Sequence, residues 1–321
     1  MSITENINYY VRNAVSYFLI NTNVPHFMFH IIRPFSVMTF GQKIIHKAKF
    51  DTRPLLTNFA DKVAIKDRVN HQIGPEYIIP NYKVLDNSQD LNFSEYPREY
   101  VLKSSHASGA GFIIHEGAKR NSRPLKHDGR KWSSYYEIHP DDLKINEGFI
   151  KEKSADWLKS IYAPGKEYCY AAIPPKLIVE KYIQMKSDVA PSDYRFYVFH
   201  GQVKFFRIAR GASNNYPNFA FNELGKPLYV SARHDDVQNQ AQHPKLSKQY
   251  KKMIKLAETL AVGVDFVRVD FYLTGGQIYF SEITNYPLGG NIEFLPKSFN
   301  KQVSSFWTSF DICSFKRAKP R

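Results

Sequence analysis

Hydrophobic positions recur along this chain at two periods, and the changes between them mark out its elements. Residues 1 to about 60 read mainly as helix. The apolar run SYFLINTNVPHFMFHIIRPF within them is broken by asparagines, histidines and a proline, too often for a membrane span of ~20 residues. It shows no secretory cleavage pattern. A helix or two packed on the body is expected there, in preference to an amphipathic surface lying near a membrane. FADKVAIKDRVNHQIG puts Phe59, Val63 and Ala64 on one side, with Val69 as a further candidate. It predicts one amphipathic helix closed by Gly74 and Pro75.

Beyond Ile78 the period becomes two. YVLK and GFIIHE read as strands around a loop of small and polar residues. Asn121 to Gly165 is polar and turn-rich, and predicts short helices with one near Trp157–Tyr162. LIVEKYI is a strand with a Pro-Pro lead-in. DYRFYVFHGQVKFFRIARG is a hairpin turning at His200-Gly201, with Tyr194, Phe196 and Val198 alternating before the turn and Val203, Phe205 and Arg207 after it. Asn214 to Leu228 reads as loop. LSKQYKKMIKLAETLAVG is a helix with Ser247 as N-cap and Gly263 as terminator; its apolar stripe is Tyr250, Met253, Ile254, Ala257, Leu260 and Ala261. VRVDFYLTGGQIYFSEITNY closes the series as a second glycine-turn hairpin. Hairpins imply antiparallel pairing, so the class is α+β rather than a doubly wound parallel sheet.

Composition narrows this only modestly. With 321 residues, 43% hydrophobic and 23% charged, the chain is folded and long enough for two or three domains. Cys169 and Cys313 form no zinc or disulfide pattern, which favours a reducing compartment. The net charge of +14 suits a polyanion, whether acidic glycan, anionic lipid or nucleotide phosphate. No nucleic-acid partner is expected, because no zinc finger or RNA-binding motif is present. The two commonest nucleotide motifs, G-x-G-x-x-G and G-x-x-x-x-G-K-[ST], are absent as well.

The last hairpin carries the sharpest chemistry. Asp270 and Glu282 interrupt its apolar pattern beside Arg268. Two neighbouring carboxylates repel, and a divalent cation such as Mg²⁺ resolves the conflict; the plain alternative is pairing with Arg268 or exposure to solvent. A two-residue Gly275-Gly276 loop would pair Asp270 with Ser281 and turn Glu282 to the other face. A shared metal therefore predicts a three-residue loop, with Leu273 opposite Gln277, Arg268 opposite Glu282 and Asp270 opposite Phe280, or an equivalent bulge. Lys103 ends YVLK just before SSHASGAG, where a lysine and backbone N–H groups can hold phosphate; alone it reads equally as a solvent-facing side chain.

In combination these segments resemble the ATP-grasp superfamily and, more narrowly, its TupA-like branch associated with teichuronopeptide biosynthesis. The resemblance runs over roughly residues 36–300, through MTFGQKI, PLLTNFADKVAIKDRV, YVLKSSHASGAG, DWLKSIYAPGKEYCY, KLIVEKYI, DYRFYVFHGQVKFF and FVRVDFYLTGGQIYFSEITNYPLGG. It implies an ATP-grasp fold of antiparallel sheets and packed helices in three parts: a divergent helical region 1–60, a nucleotide-binding subdomain 61–185 with a flexible flap, and a metal-site subdomain 186–321. It implies ATP and Mg²⁺. Lys62 and Lys103 match the two ATP-contacting lysines, with Lys66 competing for the first place. Ser104 to Gly111, including Ser105, His106, Ser108 and Gly109, matches a flap over the phosphates with little to pack against. Glu180, Lys181, Tyr182 and Ile183 match the adenine hinge. Arg195 matches a basic residue facing phosphate, Arg268 one near the transferred phosphoryl group, and Asp270 and Glu282 the metal carboxylates. Where many ligases of this kind carry asparagine two residues after the metal glutamate, this chain has Thr284, with Asn285 one step later.

The chemistry implied is an ATP-dependent carboxylate–amine ligase passing through an acyl phosphate, with no covalent enzyme nucleophile. Its implied partners are an acidic glycan or sugar and a small amine or amino acid in surface-polysaccharide assembly. Its implied place is the cytoplasm or the inner face of the membrane. An ATP-dependent glycan phosphotransferase and a non-catalytic glycan-binding module are the alternatives. The first would make a stable phosphorylated acceptor and the second no ADP.

Overall fold

The computed structural model describes residues 35–121, 123–126, 129–130, 132, 134–162, 167–183, 192–210, 218–232 and 243–309. The N-terminal apolar run up to Pro34 and Cys313 lie outside these residues. Seven α-helices and thirteen strands form the described fold. The helices are α1 (Phe40–Phe50), α2 (Pro54–Ala60), α3 (Ala64–Gln72), α4 (Leu143–Leu158), α5 (Tyr168–Ala171), α6 (Tyr250–Leu260) and α7 (Lys297–Phe306). A five-stranded sheet holds β1 (Asn81–Leu85), β2 (Tyr100–Ser104), β3 (Ala110–Ile114), β4 (Ser134–Ile138) and β5 (Leu177–Lys181) in the order β1-β5-β2-β3-β4. A six-stranded sheet holds β6 (Ser192–Phe199), β7 (Gln202–Arg210), β8 (Asn218–Asn222), β9 (Pro227–Leu228), β11 (Phe266–Thr274) and β12 (Gln277–Thr284) in the order β12-β11-β6-β7-β8-β9. β10 (Ser231–Ala232) and β13 (Phe294–Leu295) pair separately. Every pairing is antiparallel except β3 with β4, which is parallel. No helix among the described residues is long and apolar enough to cross a membrane.

Each sheet has its own core. Tyr100, Leu102, Phe112, Ile150, Trp157 and Val179 are buried together around the five-stranded sheet and α4. The larger core takes Phe196, Phe206, Val269 and Phe271 from one face of the six-stranded sheet, with Met253, Ala257 and Leu260 of α6. It also takes Phe40, Ile44, Leu56 and Phe59, so α1 and α2 share a core with residues more than 200 positions later. Buried Lys43 of α1 fixes this union by donating to the Ser304 and Trp307 carbonyls at 2.7 and 2.6 Å, which caps the C-terminal end of α7.

Four local expectations give way to the structure. The predicted Phe59–Gly74 helix is two helices, because the Asp61 carboxylate accepts from the Val63 and Ala64 amides at 2.8 and 3.3 Å and caps a new start. The polar stretch before Tyr162 is one 16-residue helix, α4, rather than short ones. Part of the Asn214–Leu228 loop is strand, β8 and β9, extending the sheet beyond β7. Ser247 accepts from the Gln249 amide at 3.3 Å, but α6 begins at Tyr250 with Gln249 as its cap.

Candidate active site

The two sheets face each other across a cleft. Lys103, Ser108 and Glu180 line it from the five-stranded sheet and its loop, Lys62 and Lys66 from the α2–α3 segment, and Phe280 to Ile283 from β12 of the six-stranded sheet. Strand register explains how Lys103 and Glu180 meet. Glu180 pairs with Val101 on β2 and with Asn81 on β1, so Lys103 is its diagonal neighbour and Asn81 its direct one on the same face. Lys103 Nζ donates to Glu180 Oε1. Lys66 Nζ, from the first turn of α3, donates to Glu180 Oε2 at 3.1 Å, to the Ile79 carbonyl at 2.7 Å and to Asn81 Oδ1. These three acceptors use all of its N–H groups. Burial alone would raise the Glu180 pKa, but Lys103 and Lys66 outweigh it and hold the carboxyl below its ordinary range. Lys62 sits in the break between α2 and α3 and donates to the Ala107 carbonyl. Burial lowers its pKa to about 8, against the pull of Glu282.

The loop from Ser104 is tied down at its start. Ser105 N donates to the Lys176 carbonyl at 2.9 Å, and Ser105 Oγ accepts from the Lys176 amide at 3.0 Å. His106 is buried, with Nε2 at 3.1 Å from the carbonyls of both Trp157 and Ser160 and Nδ1 at 2.9 Å from Ser104 Oγ. Both side chains thus serve the loop's own packing. Ser108 is exposed to the cleft, and Gly109 follows in the left-handed region at φ +67°. At the hinge, the Lys181 amide is already spent on the Pro80 carbonyl at 2.9 Å, and Tyr182 stacks on His115 with centroids 5.1 Å apart. Lys181, Tyr182 and Ile183 are not among the residues lining the cleft.

On the facing sheet the final hairpin takes the bulge rather than the three-residue loop. Gly275 and Gly276, both at positive φ, make a two-residue turn with Thr274 opposite Gln277. The ladder then slips between Asp270 and Phe271. Phe271 faces Phe280, Asp270 faces Glu282 and Arg268 faces Thr284, which leaves Ser281 as a bulge. The bulge does the work expected of an odd loop and brings both carboxylates to one face. Val267, Val269 and Phe271 bury the other face.

Arg268 bridges the pair. Its Nε lies 2.8 and 3.0 Å from the Asp270 oxygens, and its Nη2 lies 2.5 Å from Asp270 Oδ2 and 2.9 Å from Glu282 Oε1. Thr284 Oγ1 donates to Glu282 Oε1 at 2.9 Å. Burial pushes the Asp270 carboxyl up from its ordinary range, and the Arg268 guanidinium pulls against it. Burial opposes ionisation of Glu282 too, but Arg268, Lys62 and Thr284 outweigh it and hold that carboxyl low. Asn285 turns away, donating to the Leu56 carbonyl at 2.8 Å. Arg195 faces Asp270 on β6 and is held by Asp193 Oδ2 at 2.6 and 2.8 Å.

The model of the TupA-like ATPgrasp family matches residues 42–306. This chain belongs to that family.

Its ATP-grasp fold is α+β, as the sequence implied. Among solved structures, the D-alanine–D-alanine ligase of Bacillus anthracis complexed with ATP is 13% identical, with a TM-score of 0.35 over 72% of this chain and 55% of that one. The D-alanine–D-alanine ligase of Helicobacter pylori is 12% identical, TM-score 0.39, over 79% and 62%. The ATP-grasp ligase PsnB complexed with minimal precursor is 10% identical, TM-score 0.37, over 73% and 54%. This TupA-like chain therefore spans between 54% and 62% of the length of these three. Comparison with curated proteins gives no match. Sequence reasoning missed Asp193, which orients Arg195, although a spacing of two on a strand places both side chains on one face. It also gave no role to Arg207, which stands directly opposite Arg195.

Proposed function

We propose that this TupA-like ATP-grasp protein is an ATP-dependent carboxylate–amine ligase that acts through an acyl phosphate. One observation carries the reading: Lys62, Lys103 and Glu282 line a single cleft between the two sheets, and Asp270 stands opposite Glu282. Lys62 is the better phosphate lysine than Lys66, because among the described residues one protein acceptor occupies it and three occupy Lys66.

The donor set fits Mg²⁺. Two carboxylates supply oxygen ligands only, and both hydrogen bonds to Glu282 fall on Oε1, leaving Oε2 without a partner among the described residues. Asp270 and Glu282 would hold the ion, with Arg268 withdrawing toward the transferred group. The ion would neutralise charge on the transferring phosphoryl group.

In this reading the substrate carboxylate attacks the γ-phosphorus of ATP and the bond to the bridging β–γ oxygen breaks, releasing ADP. Lys62 and Lys103 bind phosphate oxygens, and Arg268 orients the acyl phosphate. The amine then attacks the acyl carbon, and phosphate leaves as the nitrogen sheds its proton. The loop at Ser108 and Gly109 shields the acyl phosphate from water. Cys169 takes no part: it is buried and its thiol is pushed up to about 12.

For substrates we propose an acidic sugar carboxylate and an amino acid or small amine, a reading supported by the net charge of +14. We place the reaction in the cytoplasm, where ATP is available, and at the inner membrane face for a lipid-linked acceptor. The test is a screen of uronic acids against amino acids with Mg²⁺–ATP, following ADP and products by mass spectrometry. An amide with free phosphate is the expected outcome. A stable phosphorylated acceptor would instead mark a phosphotransferase.

A further inference from the structure

Glu180 is a buried carboxylate shared by two lysines whose anchoring is unequal. Lys66 Nζ is held by the Ile79 carbonyl at 2.7 Å, by Asn81 Oδ1 and by Glu180 Oε2 at 3.1 Å. Lys103 Nζ has Glu180 Oε1 as its hydrogen-bond partner among the described residues. A cation with all three donors used by fixed protein groups stays where it is, whereas one held by a single contact can exchange it for another anion. The nucleotide reading requires such an exchange, because Lys103 must turn from Glu180 to a phosphate oxygen. That move removes one of two positive charges from a carboxylate that is only 4% exposed, and an unpaired buried carboxylate is costly.

We propose that Lys66 is a positioning residue that keeps Glu180 paired while Lys103 moves to the nucleotide phosphate. Lys66 does not touch the nucleotide; it lowers the cost of releasing Lys103. The arrangement follows from the backbone. Asn81 and Glu180 are register partners on β1 and β5, and the first turn of α3 aims Lys66 at both. This role rests on the nucleotide-binding reading and adds to it a division of labour between the lysines: Lys62 and Lys103 for phosphate, Lys66 for Glu180.

Calorimetric titration of the full chain with the non-hydrolysable analogue AMPPNP plus Mg²⁺, and separately with adenosine, tests this. Lys66→Met should weaken AMPPNP binding by roughly tenfold or more, the scale of one charge-assisted hydrogen bond, and change adenosine binding by less than about twofold. Lys66→Arg should recover most of the loss. In a Glu180→Gln background, where no buried charge needs a partner, Lys66→Met should cost little further. Lys66→Gln, which keeps donors toward Ile79 and Asn81 without the charge, makes the same comparison if Met is not tolerated. The proposal is overturned by no loss of AMPPNP affinity, by equal losses for AMPPNP and adenosine, or by the same loss in both Glu180 backgrounds. A folded wild type that binds no AMPPNP would remove the nucleotide reading itself, and this role with it.

Discussion

Asp270 and Glu282 stand directly opposite each other on neighbouring strands because the bulge at Ser281 moves Glu282 into the place that a regular two-residue hairpin would give to Ser281. The register is a property of the folded chain, so neutral substitutions at either position should leave the fold intact and remove the charge. Asp270→Asn and Glu282→Gln should each abolish the Mg²⁺ dependence of AMPPNP affinity with an unchanged circular dichroism spectrum. Calorimetry with and without Mg²⁺ reads this directly. A full Mg²⁺ effect in both variants would leave the carboxylates as structural partners of Arg268.

Arg268 is the cation that makes the pair tolerable in the absence of other charge. It is mostly buried and contacts both carboxylates, and Asp270 has only 2% of its surface exposed. Arg268→Met should destabilise the fold by about 3 kcal/mol or more, the usual cost of stranding one member of a buried ion pair. Urea melts at neutral pH measure this. Asp270→Asn in the Arg268→Met background should recover part of the loss, because the stranded charge is then gone.

The lowered pKa of Lys62, about 8 through burial, has two pH consequences. Phosphate beside the ammonium favours its charged form, so AMPPNP binding should take up protons near pH 8 and almost none near pH 6. Titrations in two buffers of different ionisation enthalpy detect the uptake. For stability the sign is also set. Between about 8 and the ordinary lysine value of 10.5 the unfolded chain binds more protons than the folded one at this group. Its contribution to stability therefore rises with pH across that window. Lys62→Met should remove the proton uptake.

Gly41 of α1 and Gly290 let a helix and a turn touch through their backbones. A Cβ on Gly290 would lie 2.4 Å from Ile45 Cγ1 and 2.8 Å from the Gly41 carbonyl, and Gly290 sits at φ +85°. Gly290→Ala combines overpacking with a left-handed backbone and should cost about 1–3 kcal/mol or more in urea melts. Gly201→Ala, also at positive φ but with open space around it, should cost less.

Strands and hairpins were the most legible features because alternation survives in short windows: Tyr194, Phe196 and Val198 announced β6, and the His200-Gly201 turn follows as expected, with Phe199 opposite Gln202. Candidate site residues stood out where a charge broke that alternation, as at Asp270, Glu282 and Lys103. Features decided by long-range partners were not. The break at Asp61 depends on a side-chain cap competing with helix continuation, and the tethering of Ser105 and His106 depends on carbonyls of Pro174, Trp157 and Ser160, 51 to 69 residues away. Of the two ways to a shared face, an odd loop or a bulge, the chain takes the bulge, five residues beyond Gly276, and nothing in the local composition of SEIT marks that choice. Strands β8 and β9 lacked periodicity because Phe219, Ala220 and Phe221 of β8 are buried in succession, on both faces, and β9 is two residues long at a sheet edge.

In the proposed function, nucleotide phosphate and the two carboxylates meet in the cleft between the sheets. A crystal structure with AMPPNP and Mg²⁺ tests it most directly. Phosphate oxygens are expected within hydrogen-bond reach of Lys62 and Lys103 Nζ, with Lys103 released from Glu180 and Mg²⁺ ligated by Asp270 and Glu282. Nucleotide bound elsewhere, or Asp270 and Glu282 still bridged by Arg268 with no metal at full nucleotide occupancy, would contradict it.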